Sequence, residues 1–101
     1  MSLPLIIRPE AEADLAEAFT WYEAQRTGLG TEMLSEVQAA VGRVQKDPNR
    51  YASAFRDVRR ASVRRFPYSI YFLSGQKRIV VLAVLHHRRN PNIWRKRSRQ
   101  V

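Results

Sequence analysis

The chain has 101 residues, 45% of them hydrophobic, which sets one small domain with a single core and excludes a disordered polymer. Its formal net charge is +9 and unevenly placed: residues 1–50 hold five Lys/Arg against eight Asp/Glu, and residues 51–101 hold thirteen against one. Cysteine is absent and no apolar run reaches membrane-spanning length, so disulfides, thiolate metal sites and a membrane span are excluded and a reducing, cytoplasmic setting is expected.

MSLPLIIRP lacks the basic region and cleavage site of a signal peptide, and its apolar part, residues 3–8, reads as a short strand. Pro9 suits the first turn of a helix, where its missing N–H costs nothing. Glu10, Glu12 and Asp14 then favour the positive end of the helix dipole. Ala11, Leu15, Ala18, Phe19 and Tyr22 recur at helical spacing, and Arg26 and Gly28 mark the end. Phe19, Trp21 and Tyr22 are expected in the core. Gly28-Leu29-Gly30 reads as a tight link and Thr31 as the N-cap of a second helix, with Met33, Val37, Ala40, Val41 and Val44 on its apolar face. Asp47-Pro48 stops that helix. Two amphipathic helices joined so closely fold back as an antiparallel hairpin that needs a sheet to cover it.

Residues 48–55 read as a polar bridge. Residues 56–65 predict a strand of imperfect alternation, which a bulge near Arg59–Arg60 explains. Tyr68–Leu73 alternates cleanly, residues 74–77 form a hairpin turn, and Ile79–Leu85 is apolar on both faces, as a central strand is. Pro91 ends that strand, and residues 92–99 form a basic tail or short helix. The expected class is α+β in the order β-α-α-β-β-β, a helical hairpin packed on a small, mostly antiparallel sheet, and residues 1–101 form one domain.

Unpaired arginines cannot be buried, so those fencing the strands are expected to gather at the sheet's ends and edges. Arg59, Arg60, Arg64, Arg65, Arg88, Arg89, Arg95 and Arg97 are therefore expected to converge on one face and hold something anionic. Solvated edge charges that discourage strand aggregation are the plainer account of Arg59–Arg65. Trp94 stands among these cations outside any apolar stripe, and it suits stacking on a base, anchoring a partner or capping the sheet.

The fragments A-E-A-D-L (11–15), W-Y-E (21–23), G-L-G (28–30), Pro48, R-R-x-x-x-x-R-F-P-Y (59–68) and V-L-A-V-L-H-H-R-R-N-P-x-x-W (81–94), in this order and spacing, resemble the RelE/ParE superfamily of toxins from type II toxin–antitoxin modules, the plasmid-stabilisation type. The resemblance covers almost the whole chain. It implies a growth-inhibiting toxin neutralised by a cognate antitoxin whose flexible acidic or amphipathic segment wraps it, and it admits a toxin dimer or a heterotetramer with the antitoxin. It also implies one of two targets: RelE-like members cut mRNA in the ribosomal A site, and ParE-like members poison DNA gyrase.

Cleaving RNA through its own 2′-OH needs a proton acceptor, a stabiliser of the phosphorane charge and a proton donor for the leaving oxygen. The RelE-like subgroup is similar here at Arg60 and Arg88 but departs at Ser62, Ser69 and Trp94, where it carries basic residues and a tyrosine. Serine supplies no charge to neutralise phosphate, and an indole N–H transfers no proton. A subgroup resembling YoeB places a catalytic histidine at His87, although its partner arginine falls on Ser69. His86 reads as a structural histidine, while His87 suits either role. Adjacent histidines in a strand point to opposite faces with no carboxylate cluster beside them, so no metal or cofactor is implied. The favoured reading is a ParE-like toxin that binds gyrase or its DNA. The alternative is a metal-independent, ribosome-dependent endoribonuclease using His87, Arg60 and Arg88, and the plainest reading is a sequence-blind RNA-binding domain.

Overall fold

A computed structural model describes residues 3–100. The chain runs β1 (Leu5–Ile7), α1 (Pro9–Gln25), α2 (Leu29–Lys46), a 3₁₀ turn at Pro48–Arg50, β2 (Ser53–Phe55), β3 (Val58–Ser62), β4 (Tyr68–Ser74), β5 (Ile79–His86) and α3 (Asn92–Ser98). The sheet order is β1-β5-β4-β3-β2. β1 is parallel to β5 and the other neighbours are antiparallel, so the expected α+β hairpin-on-sheet holds. The residues read as a polar bridge supply an additional edge strand.

One face of the sheet, with Ile70, Phe72, Val81 and Val84, packs under α1 and α2 against Ala11, Ala18, Met33, Val37 and Val44. The other face, with Tyr71, Leu82, Ala83 and Leu85, is covered by α3 through Trp94. Burial of both faces explains why β5 reads as an unbroken apolar run.

Several local expectations are corrected. α2 begins at Leu29, inside the expected link, and Thr31 lies within the helix instead of capping it. The Glu23 carboxylate of α1 replaces the cap, accepting the N–H groups of Gly28 and Gly30 at 2.9 Å each. Gly28 adopts the left-handed conformation at φ 91°, which suits glycine. Gly30 is where the hairpin closes, since a Cβ there would meet Phe19 at 2.7 Å.

β3 is shorter than residues 56–65, and its flanks carry left-handed Arg56 and Arg65. Its pairing with β4 is continuous from Val58 to Ser62, and the irregularity expected near Arg59–Arg60 falls on its other side, where Ser53 pairs with Arg59 and Phe55 with Val58, leaving Ala54 of β2 as the extra residue. A second irregularity lies in β5: Tyr71 pairs with Ala83 and Phe72 with Val81, leaving Leu82 as the extra residue. Leu82 and Ala83 consequently both pack on the α3 side. Trp21, expected in the core with Phe19 and Tyr22, is 58% exposed.

Candidate target-binding surface

Two ends of the sheet carry cations. At one end lie the β4–β5 turn with Lys77 and Arg78 and the β2–β3 turn with Arg56. At the other end the β3–β4 loop, with Arg64 and Arg65, meets the turn after β5, with His87, Arg88 and Arg89. The backbone joins these two loops: Tyr68 pairs with His86, and the His87 N–H donates to the Pro67 carbonyl at 2.9 Å. The expected convergence of the eight named arginines on one face is corrected, because Arg59, Arg65, Arg95 and Arg97 are held within the molecule.

Arg97 is held most firmly. Its guanidinium donates to Asp14 Oδ2 at 2.6 Å and to Oδ1 at 3.2 Å, and also to the Leu82 carbonyl at 3.1 Å. Asp14 Oδ2 in turn accepts the Val84 N–H at 3.1 Å. β1 pairs with β5 only as far as Val81, so this ion pair occupies backbone groups at the bulge where no strand continues. It ties α3, α1 and β5 together.

Arg59 points to the helical side and donates to the carbonyls of Asn49 and Tyr51, anchoring the 3₁₀ turn. Arg65 donates to Glu32 of α2 at 2.9 Å, with Glu36 at 3.7 Å. Its hydrogen bond, with a second from Arg26, holds the Glu32 carboxyl below its usual pKa. Arg95 lies over the Phe55 ring at 4.6 Å and the Trp94 ring at 5.4 Å. Trp94 is 5% exposed and stacks on Tyr71 with centroids 4.6 Å apart, so among its expected roles the geometry matches the cap on the sheet. A buried indole offers no platform to a base.

Arg60, Arg64, Arg88 and Arg89 are exposed and make no ion pair among the described residues. Arg60 and Ser62 lie on the α3 side of β3, and Ser62 pairs with Ser69. Ser69 is fully buried, its hydroxyl without a hydrogen-bond partner among the described residues. His86 is half-buried, edge-on to Tyr68 at 5.4 Å, and its Nδ1 accepts the Arg88 N–H at 3.0 Å. His87 is exposed beside Arg88. The loop end thus presents three free guanidiniums and an imidazole.

Sequence reasoning passed over the surface next to that end. Between α1 and the last residues of β5 runs a groove of about 420 Å³. Ala18, Trp21, Tyr22 and Tyr68 line it, with Arg89 and Glu17 at its rim. Burial raises the pKa of the Tyr68 hydroxyl, Tyr22 and Glu17 add to the rise, and Arg89 opposes it. The available signal was W-Y: adjacent helical positions cannot both face one core.

Residues 5–91 match the family described as ParE toxin of type II toxin-antitoxin system, parDE. The chain belongs to this ParE toxin family. It is 31% identical over 93 residues to Toxin ParE2 of Mycobacterium tuberculosis, in strains CDC 1551 / Oshkosh and H37Rv, spanning 91% of this chain and 89% of the relative. A solved structure titled as the chromosomal ParDE TA system from P. aeruginosa superposes with a TM-score of 0.75 at 21% identity, covering 84% of this chain and 96% of that one, a likeness of fold. The expected RelE/ParE membership thus resolves to a ParE-like type II toxin.

Proposed function

We propose that this ParE-family protein inhibits growth by binding DNA gyrase, or DNA held by gyrase, through the cationic loop end of its sheet, and that a cognate antitoxin silences it in the cytoplasm. The observation that carries this reading is the state of the ribonuclease positions. Ser69 is sealed in the sheet and the Trp94 ring of α3 is packed on Tyr71 of the sheet, so neither offers a substrate charge or a proton. The cluster formed by Arg64, Arg88 and Arg89 is well suited to holding phosphate or carboxylate oxygens by charge-assisted hydrogen bonds.

Binding by such a patch needs no bond-breaking machinery. It needs only that the scaffold hold the guanidiniums where an anionic target presents its oxygens. The continuous β3–β4 pairing and the Tyr68–His86 pair fix the two loops that carry them.

Inducing the protein in growing cells tests the proposal. Filamentation with induction of the DNA-damage response is the expected outcome, and rapid mRNA loss with cuts inside codons contradicts it. One observation keeps the ribosome-dependent ribonuclease as a second reading: His87 is exposed next to Arg88, where proton transfer and phosphate contact are available together. That reading requires His87→Ala to abolish toxicity. The gyrase reading expects His87→Ala to remain toxic.

A further inference from the structure

The loop between β3 and β4 carries two adjacent arginines with different fates. Its base is fixed by backbone: the Val63 N–H donates to the Tyr68 carbonyl at 2.9 Å, the Tyr68 N–H to the Phe66 carbonyl at 2.8 Å and the His87 N–H to the Pro67 carbonyl at 2.9 Å. Val63 and Phe66 are buried, and the Phe66 ring lies edge-on to Tyr22 at 5.0 Å. The tip differs from the base. No backbone hydrogen bond holds Arg64 or Arg65 among the described residues.

Arg65 nevertheless stands in the left-handed region, at φ 70°. A residue with a Cβ seldom adopts that conformation and keeps it only where its surroundings enforce it. The hold that remains is the side chain. Its guanidinium donates to Glu32 Oε1 at 2.9 Å, lies 3.7 Å from Glu36 Oε2 and sits 5.5 Å from the centre of the Phe66 ring. Arg26 steadies Glu32 in turn, donating to its other oxygen at 2.9 Å. Glu32 and Glu36 are four residues apart on α2 and so share one helix face. Arg64 is exposed and makes no ion pair among the described residues, so its direction is inherited from its neighbour.

An ion pair this open to solvent adds little to stability: the Arg65 side chain is 56% exposed and that of Glu32 37%. Position is a separate matter, because a weak clasp suffices to select one conformation of a loop tip that has no backbone bonds of its own. We propose that Arg65 is the positioning residue of the target-binding end: clasped by Glu32 and Glu36, it holds the tip in the conformation from which Arg64 meets the target together with Arg88 and Arg89. This identification rests on the gyrase reading above. Arg65 itself touches no target and acts through Arg64.

The variant combining Glu32→Gln and Glu36→Gln separates position from charge. It removes two negative charges beside a cationic end, so a surface working by its field alone would inhibit gyrase more strongly, above all at low salt. Positioning predicts the reverse: inhibition of supercoiling weaker than that of the wild type by about threefold or more, the scale on which exposed ion pairs act, with folding intact by circular dichroism. Inhibition equal to or stronger than that of the wild type overturns the proposal. Arg65→Gly is the companion, since glycine accepts φ 70° without strain. It is expected to melt close to the wild type and yet to inhibit as weakly as the combined variant. Inhibition by Arg65→Gly equal to that of the wild type also overturns the proposal.

Nuclear magnetic relaxation examines the clasp without any target. Backbone order parameters at Arg64 and Arg65 are expected at about 0.85 in the wild type and to fall toward about 0.6 in the combined variant. Equal values in the two proteins overturn the proposal even where inhibition falls. A wild type that leaves supercoiling untouched refutes the gyrase reading instead, and the relaxation values then decide the clasp by themselves.

Discussion

Eight of the eleven arginines in residues 51–101 divide into two populations, one tied to the fold and one untied. Arg59, Arg65, Arg95 and Arg97 are tied to carbonyls, carboxylates or rings of the same molecule. Arg60, Arg64, Arg88 and Arg89 have no such tie among the described residues. The first population fastens α3, the 3₁₀ turn and the β3–β4 loop to the body of the fold. The second is held out on loops and on one sheet face, where its only available partners come from elsewhere. The positive charge is thus partly mortar and partly, on the proposed function, binding surface, and sequence neighbours such as Arg64 and Arg65 fall on different sides of that division.

The division is sharpened first where α3 meets the sheet. Trp94→Ala removes a buried indole stacked on Tyr71 and the ring beneath Arg95, and is expected to cost about 3–5 kcal/mol. By thermal denaturation this lowers the melting temperature by more than ~10 °C. Asp14→Ala leaves Arg97 and the Val84 N–H without their partner. The expected loss is about 3 kcal/mol, the low end of the range for a broken buried pair, since Arg97 keeps 17% exposure. A denaturant midpoint unchanged by Asp14→Ala would place Arg97 among the free cations.

A smaller effect is expected at Glu32, where Arg65 and Arg26 meet. Its folded pKa is lowered, chiefly by the hydrogen bond from Arg65. Its contribution to stability is therefore complete above the unfolded carboxylate value and is lost as pH falls through the folded one. The gap in melting temperature between wild type and Glu32→Gln should accordingly be largest near neutrality and close in acid. A constant gap across pH would mean that the ion pair is not its source. The least effect on folding is expected from Arg64→Gln, Arg88→Gln and Arg89→Gln combined, within about 0.5 kcal/mol by denaturant titration, as for surface positions without partners.

Much of this fold was legible because the hydrophobic period changes sharply along the chain. The 3.6-residue stripes of α1 and α2, the alternation of β4 and the apolar run of β5 each have one ready interpretation. What escaped depended on contacts distant in sequence. Glu23 capping α2 from α1 hid the true helix start, and the β5 bulge is visible only in register with β4. β2 is three residues long and acquires its identity from pairing with β3. The candidate site was legible as a set of cations but not as a surface. Nothing local distinguishes Arg97, whose partner Asp14 lies 83 residues away, from Arg88, which has none among the described residues. Nothing local to Trp94 selects the sheet cap from its three expected roles, and nothing local places Trp21 outside the core, for the same reason: burial is decided by the element opposite, the sheet face under α3 for one and the open flank of α1 for the other.

The central claim is that the free guanidiniums at the loop end grip the target while the tied ones only hold the fold. Supercoiling of plasmid DNA by purified gyrase tests it most directly, with wild type compared against the combined Arg64→Gln, Arg88→Gln and Arg89→Gln variant over a salt series. The account predicts inhibition by the wild type that weakens as salt rises, and inhibition by the equally stable variant that is at least tenfold weaker at low salt and nearly indifferent to salt. Equal inhibition by the two proteins, with the same salt dependence, would contradict it.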